Sequence, residues 1–397
     1  MSFNIALTGL SAVTEQMDTI SNNIANVGTT GFKSSRTEFG SIYADSQAMG
    51  VEVLGLTQSI SKGGSLVSTG RELDLAIAGG GFFMTKGATG DMQYTRAGVF
   101  GTDKNNLIVD TLGQNLQGYP VDANNNLQVG TISNLALQNA NLPARATDSL
   151  AFVMNLDANE TVPVLAPFDP ANADTFNSTY TSKMFDSQGK EHTLTQYFVK
   201  TADNNWNAHY YADGVSLGAP QALVFNTSGQ LTTPAAATPV NVNYAPPGVE
   251  PMTIAIDYTR SSQSGSNFVV TTNRPSGYAS GEQIGIAVEK DGKIYANYSN
   301  GERLLQGQVA MATFTNMEGL QNESGTRWSE TSESGSPLIG IPGIGAFGEL
   351  RTGSLENSNV DLTQQLVGLM ESQRNYQANT KVLSTNKELT QVLFGAI

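Results

Sequence analysis

Phe3, Leu10, Met17 and Ile24 stand seven residues apart, and Ala6, Val13, Ile20 and Val27 follow three residues after each. Apolar side chains at every slot of such a repeat lie along one stripe of an α-helix, and a strict seven-residue period favours a partner helix along that stripe. The pattern predicts a helix over roughly the first 25 residues, a rod of about 37 Å at about 1.5 Å per residue. An amphipathic helix packed on its own domain satisfies the same pattern, so the repeat alone leaves both arrangements open.

The other end of the chain repeats this organisation. Ser358 and Asp361 have the spacing of a capping box, and Leu362, Leu369, Tyr376 and Leu383 then follow at intervals of seven, flanked by Leu366 and, weakly, Thr380. Neither Pro nor Gly interrupts residues 369 to 394, which predicts a second long helix.

Between the helices the period changes to two. "LDLAIAGGGFFMT" and "HTLTQYFVKTADNNWNAHYYADG" alternate apolar and polar residues and are divided by Gly, Asn and Asp clusters, the pattern of strands joined by turns. Pro-rich, irregular stretches at 159 to 176 and 234 to 251 divide the strand-like segments. The fold class expected is α+β and multidomain: long terminal helices paired as a coiled-coil-like domain, with two nested all-β domains between them. The boundaries read as 1–30 with 358–397 for the helical domain, 31–70 for a connecting segment, 71–142 with 285–357 for an inner β domain, and 143–284 for an outer inserted β domain. The connecting segment, punctuated by Gly28, Gly31, Gly40, Gly50 and Gly55, is expected to be an ordered bracket, against the alternative of a disordered tether.

Charge narrows the range of partners. Only 14% of the 397 residues are charged, against about 25% in an average globular protein, and the formal net charge is −14. The first thirty residues hold −2 and the last forty are neutral, so the middle carries −12. No basic stripe is present to neutralise phosphate, which argues against nucleic acid as a partner. No apolar run reaches the roughly 20 residues of a membrane span, and the first residues lack the form of a secretory signal, so membrane insertion is not expected.

Catalytic and metal-binding patterns are also missing. Cys is absent, which removes disulfides, thiolate ligands and cysteine nucleophiles. His192 and His209 are the only histidines and read as ordinary surface residues of strands, not ligands. "AGGGFF" at 78 to 83 lacks the spacing of a dinucleotide or phosphate loop and reads as tight backbone packing at a strand. "DANNN" at 122 to 126 resembles the start of a calcium loop, but Leu127 replaces the Gly such a loop needs and Ser133 stands at the bidentate position, so a β-turn is expected. The sequons at Asn159, Asn177, Asn226, Asn297 and Asn322 are what this composition yields by chance. The reading is no enzyme, no cofactor and no metal.

Four blocks then bear on family. "SNNIANVGTTGFKSSR" (21–36), "TGRELDLAIAGGGFF" (69–83), "YTRAGVF" with "LQGYPVD" (94–122), and "GSLENSNVDL" through "QRNYQANTKVL" (353–383) resemble, in order, the signature segments of bacterial flagellar rod and hook proteins. Chain length and the insertion at 143–284 resemble the hook members of that family more than the shorter rod proteins. "MFDSQGKEHTLTQYFVKTADNNW" (184–206) is similar to the hook outer domain.

The resemblance implies a structural polymer, a curved tube outside the cell that acts as a universal joint between rod and filament. It implies export by the flagellar type III apparatus without signal cleavage, and as partners other copies of the chain, the distal rod, the hook cap and the hook-filament junction protein. A distal rod or other basal-body protein is the alternative, and a secreted β-rich adhesin or carbohydrate-active enzyme a more remote one. Phe3, Leu10, Val13, Met17, Ile20, Ile24, Leu362, Leu366, Leu369, Tyr376 and Leu383 are the expected polymerisation contacts. Asn22, Asn23, Asn26, Gly28, Gly31, Phe32 and Lys33 form the family-motif junction, with the three asparagines expected to bond across helices and Gly28 and Gly31 to turn the chain away from the helix.

Overall fold

The computed structural model describes residues 2–44, 47–122, 125–138, 141–235 and 238–395. The chain is mostly β, with one long helix at each end: α1 (Ser2–Ala25) and α2 (Leu362–Gly395). Its contacts separate into two compact units, one of residues 1–139, 285–296 and 303–397, the other of 140–284 and 297–302.

The second unit consists of two sheets. Six strands between Ser178 and Thr233 form one, and Ser149–Asp157, Val240–Tyr244, Met252–Asp257, Ser262–Ser264 and Val269–Pro275 form the other. Along Glu191–Ala202 every second residue from His192 to Lys200 is buried, the period-two pattern of a strand with one face inward. Phe152, Met154, Leu156, Phe198, Trp206, Ile254 and Ile256 close into one core. Asn204, at φ 60°, makes the turn between Glu191–Ala202 and Asn205–Ala212, where the Asp-Asn-Asn run predicts one.

In the first unit, strand Phe82–Lys86 lies between Met92–Thr95 and Asn115–Pro120, and Arg303–Val309 pairs with the far side of Asn115–Pro120. Phe82, Phe83, Tyr94, Phe100, Met311, Trp328 and Leu350 are buried among these strands. The "AGGGFF" glycines permit close packing: a Cβ at Gly81 would lie 2.6 Å from Met311 Cε, and one at Gly79 2.8 Å from Gly348 Cα. The "DANNN" stretch falls partly outside the described residues, but Asn125 N donates to Asp122 O at 3.0 Å and Asn126 N to Asp122 Oδ1 at 2.8 Å, the bonds of a turn.

Segment 31–70 is largely ordered as a β-hairpin. β1 (Ser35–Ala44) and β2 (Gln47–Gln58) pair antiparallel, from Ser35 opposite Gln58 to Ile42 opposite Gly50 and beyond. After it, β3 (Leu66–Ser68) pairs with Ser354–Glu356, and Leu75–Ala78 with Glu349–Thr352. The C-terminal strands thus close ladders opened near the start of the chain, which brings the roots of both helices together.

Two local expectations are corrected. α1 ends at Ala25, so Val27 lies beyond the helix in the following turn and takes no part in its stripe. The capping box at Ser358 does not form. α2 begins at Leu362, and the Asp361 carboxylate itself accepts from Gln364 N at 3.1 Å, while the Ser358 hydroxyl accepts from Val360 N at 3.3 Å outside the helix. A carboxylate at the cap position satisfies a free helical N–H and complements the positive end of the helix dipole, so the helix starts three residues later.

Candidate functional site

α1 and α2 run antiparallel along each other. Asn379 sits over Gly9, where a Cβ would come within 3.1 Å of its amide nitrogen; Ile20 Cδ1 lies 3.4 Å from the Cβ position of Gly368; and Asn23 Nδ2 donates to Gln365 Oε1 at 3.0 Å. From Gly9 to Ile20 to Asn23 the steps are eleven and three residues, and α2 retraces them from Asn379 to Gly368 to Gln365, so the register is unbroken. In that register Asn386 stands opposite Ser2, and residues 387–395 continue past the start of α1 for about two and a half turns.

The seam mixes small and polar groups with a few apolar side chains of α1. Of the expected contacts, Val13 and Ile20 are buried within the chain, and Leu10, Met17, Ile24, Leu369 and Leu383 are half-buried. Phe3, Leu362, Leu366 and Tyr376 are exposed, by 52%, 43%, 46% and 38%. Among the described side chains of α2 the buried one is Ser372, and Val367, Met370, Val382, Leu389 and Val392 face water. Seven-residue spacing locates a stripe but does not say which face the subunit itself uses.

The hairpin flanks α1 on another side. Thr19 and Thr37 share a hydroxyl hydrogen bond of 2.9 Å, and Val51 N donates to Thr8 Oγ1 at 3.4 Å. Gly50 permits this approach, since a Cβ there would lie 2.1 Å from the Thr8 hydroxyl. Asn23 ties the three elements: its Nδ2 donates to Ser35 O at 2.7 Å as well as to Gln365, and its Oδ1 accepts from Ser35 N at 2.9 Å. Asn22 and Asn26 instead bond each other locally, Asn26 Nδ2 donating to Asn22 Oδ1 at 2.7 Å, so the expectation of cross-helix bonds holds for Asn23 alone.

Below α1 both Gly28 and Gly31 lie in turns, but only Gly31 needs to be glycine. Gly31 has φ +71° and a Cβ there would lie 2.6 Å from the Ala97 nitrogen, whereas nothing lies within 4 Å of a Cβ at Gly28. Phe32, half-buried, accepts from Asn359 N at 3.3 Å through its carbonyl. Lys33 then points inward and is fully buried. Its Nζ lies 2.6 Å from Glu356 Oε1 and donates to Lys62 O at 2.8 Å. Glu356 Oε1 also accepts from Gly64 N at 2.9 Å, its Oε2 lies 3.4 Å from Arg96 Nη1, and its carbonyl accepts from Gly31 N at 2.7 Å. Arg96 donates onward to Gly79 O at 2.9 Å. Burial pulls the Lys33 ammonium below its ordinary range and acts likewise on Arg96, while the Glu356 carboxylate favours both cations. Asn359 completes the closure, accepting from Ser34 N at 2.7 Å and donating to Ser59 O at 2.9 Å.

Sequence reasoning missed Arg96, Glu356 and Asn359. Their only local signal was position inside family blocks, since a lone charged residue in a β segment is ordinarily solvated. It also misplaced His192, which is buried in the second unit. Its Nδ1 lies 2.6 Å from Asp213 Oδ2 and its Nε2 3.1 Å from Asp186 Oδ2, and Tyr244 donates its hydroxyl to Asp213 at 3.0 Å. His209 is half-buried, its ring stacked on Phe168 with centroids 4.0 Å apart. Among the described residues no group of three or more His, Cys, Asp or Glu is arranged to hold a metal, and no helix is long and apolar enough to cross a membrane.

Comparison with known proteins places this geometry in a family context. Family models match along the chain: the flagella basal body rod protein at 3–33, the flagellar hook protein FlgE/F/G D1 domain at 76–150, the flagellar basal body protein FlaE D2 domain at 155–278, and the flagellar basal body rod FlgEFG protein C-terminal at 351–394. The chain is 37% identical over 401 residues to the flagellar hook protein FlgE of Escherichia coli K12, covering 99% of each. It is 36% identical over 405 residues to that of Salmonella typhimurium LT2, again covering 99% of each. A crystal structure of the Helicobacter pylori flagellar hook protein FlgE2 superposes with a TM-score of 0.56 at 13% identity, over 73% of this chain and all of that one, a likeness of fold.

Proposed function

The chain belongs to the bacterial flagellar hook protein family and is a structural subunit of the hook, and on that premise we propose that its paired terminal helices are the coiled-coil-like domain through which copies polymerise. One observation carries this reading. Within the chain the two helices meet where Gly9 faces Asn379, Ile20 faces Gly368 and Asn23 bonds Gln365, while eight large apolar side chains of α2, from Leu362 to Val392, stay 38–71% exposed. Each square ångström of apolar surface left in water forgoes about 25 cal/mol; Leu362, Leu366 and Met370, at intervals of four, share one side of α2, and exposed apolar side chains grouped in this way mark an interaction surface. For a subunit that self-assembles into the hook, the partner of that surface is the same surface system on neighbouring copies.

In this reading the subunits stack into a short curved tube outside the cell, a universal joint that works by shape and compliance without catalysis. Segment 31–70 connects the helices to an inner β domain of residues 71–142 and 285–357, and the inserted domain of 143–284 is the outer one. The β domains supply polar contacts that slide, because Asn, Thr and Ser exchange partners and waters at low cost. Export by the flagellar type III apparatus without cleavage, and end contacts with the distal rod, the hook cap and the hook-filament junction protein, belong to the same proposal.

The test is electron microscopy of the assembled protein beside a Leu366→Lys, Met370→Lys double variant. Curved tubes are expected from the parent and none from the variant, with the variant's β-sheet circular dichroism unchanged. Straight polymers would favour a rod element instead, and polymerisation of the variant would overturn the role of this face.

A further inference from the structure

Lys33, Arg96 and Glu356 are fully buried together, and among the described residues Glu356 is the one anionic side chain bonded to either cation. Two positive charges and one negative are a tolerable burial; two positive charges alone are not, because an ion removed from water without a counter-charge costs several kcal/mol. The two cations precede Glu356 by 323 and 260 residues. Every chain is made from its N-terminus, so both wait for the carboxylate while most of the sequence is completed.

The groups that close around this site wait with them. Gly31 N and Gly64 N donate directly to Glu356, Ser34 N donates to Asn359, and β3 pairs with Ser354–Glu356. The core of the second unit has no such dependence, since it runs from Leu150 to Tyr258, and the His192, Asp186, Asp213 and Tyr244 cluster is also complete before residue 285; only residues 297–302 of that unit come later, and they too precede Glu356. We infer that Glu356 is a completion latch: the root of α1 and the start of the hairpin stay open until this carboxylate arrives, while the second unit closes ahead of them. An incomplete chain therefore keeps its N-terminal helix without a seat and presents no finished assembly surface.

The experiment is hydrogen exchange on the full-length protein, comparing the parent with Glu356→Gln, Lys33→Met and the Lys33→Met, Glu356→Gln double variant. Glu356→Gln reproduces the state before the charge arrives. It is expected to cost the amides of Gly31, Ser34 and Gly64 about 100-fold or more in protection, with the Phe198 and Ile254 amides of the second unit unchanged. Lys33→Met leaves Arg96 and Glu356 as a balanced pair and should cost the same amides about tenfold at most. The double variant should regain part of what Glu356→Gln loses, because it buries one fewer uncompensated charge. Equal loss in the two single variants would reduce the cluster to packing and overturn the proposal. Collapse of protection in the second unit would overturn its independence.

Discussion

Asn23 and Gln365, 342 residues apart in sequence, meet at 3.0 Å where α1 and α2 leave their common root. The same Asn23 amide pairs with both backbone groups of Ser35, so one buried side chain sets the helix against its partner and against the hairpin.

Replacing Asn23 with Ala orphans the Ser35 N–H and C=O and should cost about 1–3 kcal/mol. Asn22→Ala, one residue away in the same motif, breaks a local bond on the surface and should fall within about 0.5 kcal/mol. Denaturant midpoints of the two variants check the contrast, and equal midpoints would refute it.

Gly31→Ala combines a left-handed backbone with a Cβ 2.6 Å from the Ala97 nitrogen, and should cost about 1–3 kcal/mol. Gly28→Ala meets nothing within 4 Å and should be nearly neutral. The thermal midpoint of the first unit reads both, and a destabilised Gly28→Ala would show that Gly28 too must be glycine.

Asp361 is the cap of α2, so Asp361→Ala should lower helix stability by about 0.5–2 kcal/mol, whereas Ser358→Ala should leave it within a few tenths. Exchange rates of the amides of Gln364 and Gln365 distinguish them. Larger fraying from Ser358→Ala would restore the capping box.

The His192 cluster makes the second unit sensitive to pH. Burial opposes the charged form of all three groups, but their mutual bonds win: His192 is raised above its ordinary value of 6.5, and Asp186 and Asp213 lie below theirs. A raised histidine stabilises fully below about pH 6.5, and its contribution is lost as pH rises through the folded value. The depressed carboxylates stabilise above about pH 4, and theirs is lost as pH falls through the folded values. Thermal unfolding should therefore show greatest stability of this unit between those limits. His192→Gln should flatten the alkaline decline, and an identical alkaline profile in that variant would refute the assignment.

Much of the architecture was legible because its signals are local. Leu362, Leu369, Tyr376 and Leu383 mark a helix by spacing, and His192 to Lys200 marks a strand by alternation, whatever the rest of the chain does. Val27 and Ser358 were misread at element ends, where one hydrogen bond decides the boundary and pattern does not record it.

The order of elements and the presence of a long helix at each end of the chain were determined by the sequence itself, since periodicity and residue type are properties of neighbouring positions. Which face of α2 its own subunit covers, and that Glu356 is the counter-charge of Lys33, were decided only in the tertiary structure. Charge pairing and burial depend on distance in space, and no local rule joins two residues separated by 323 positions.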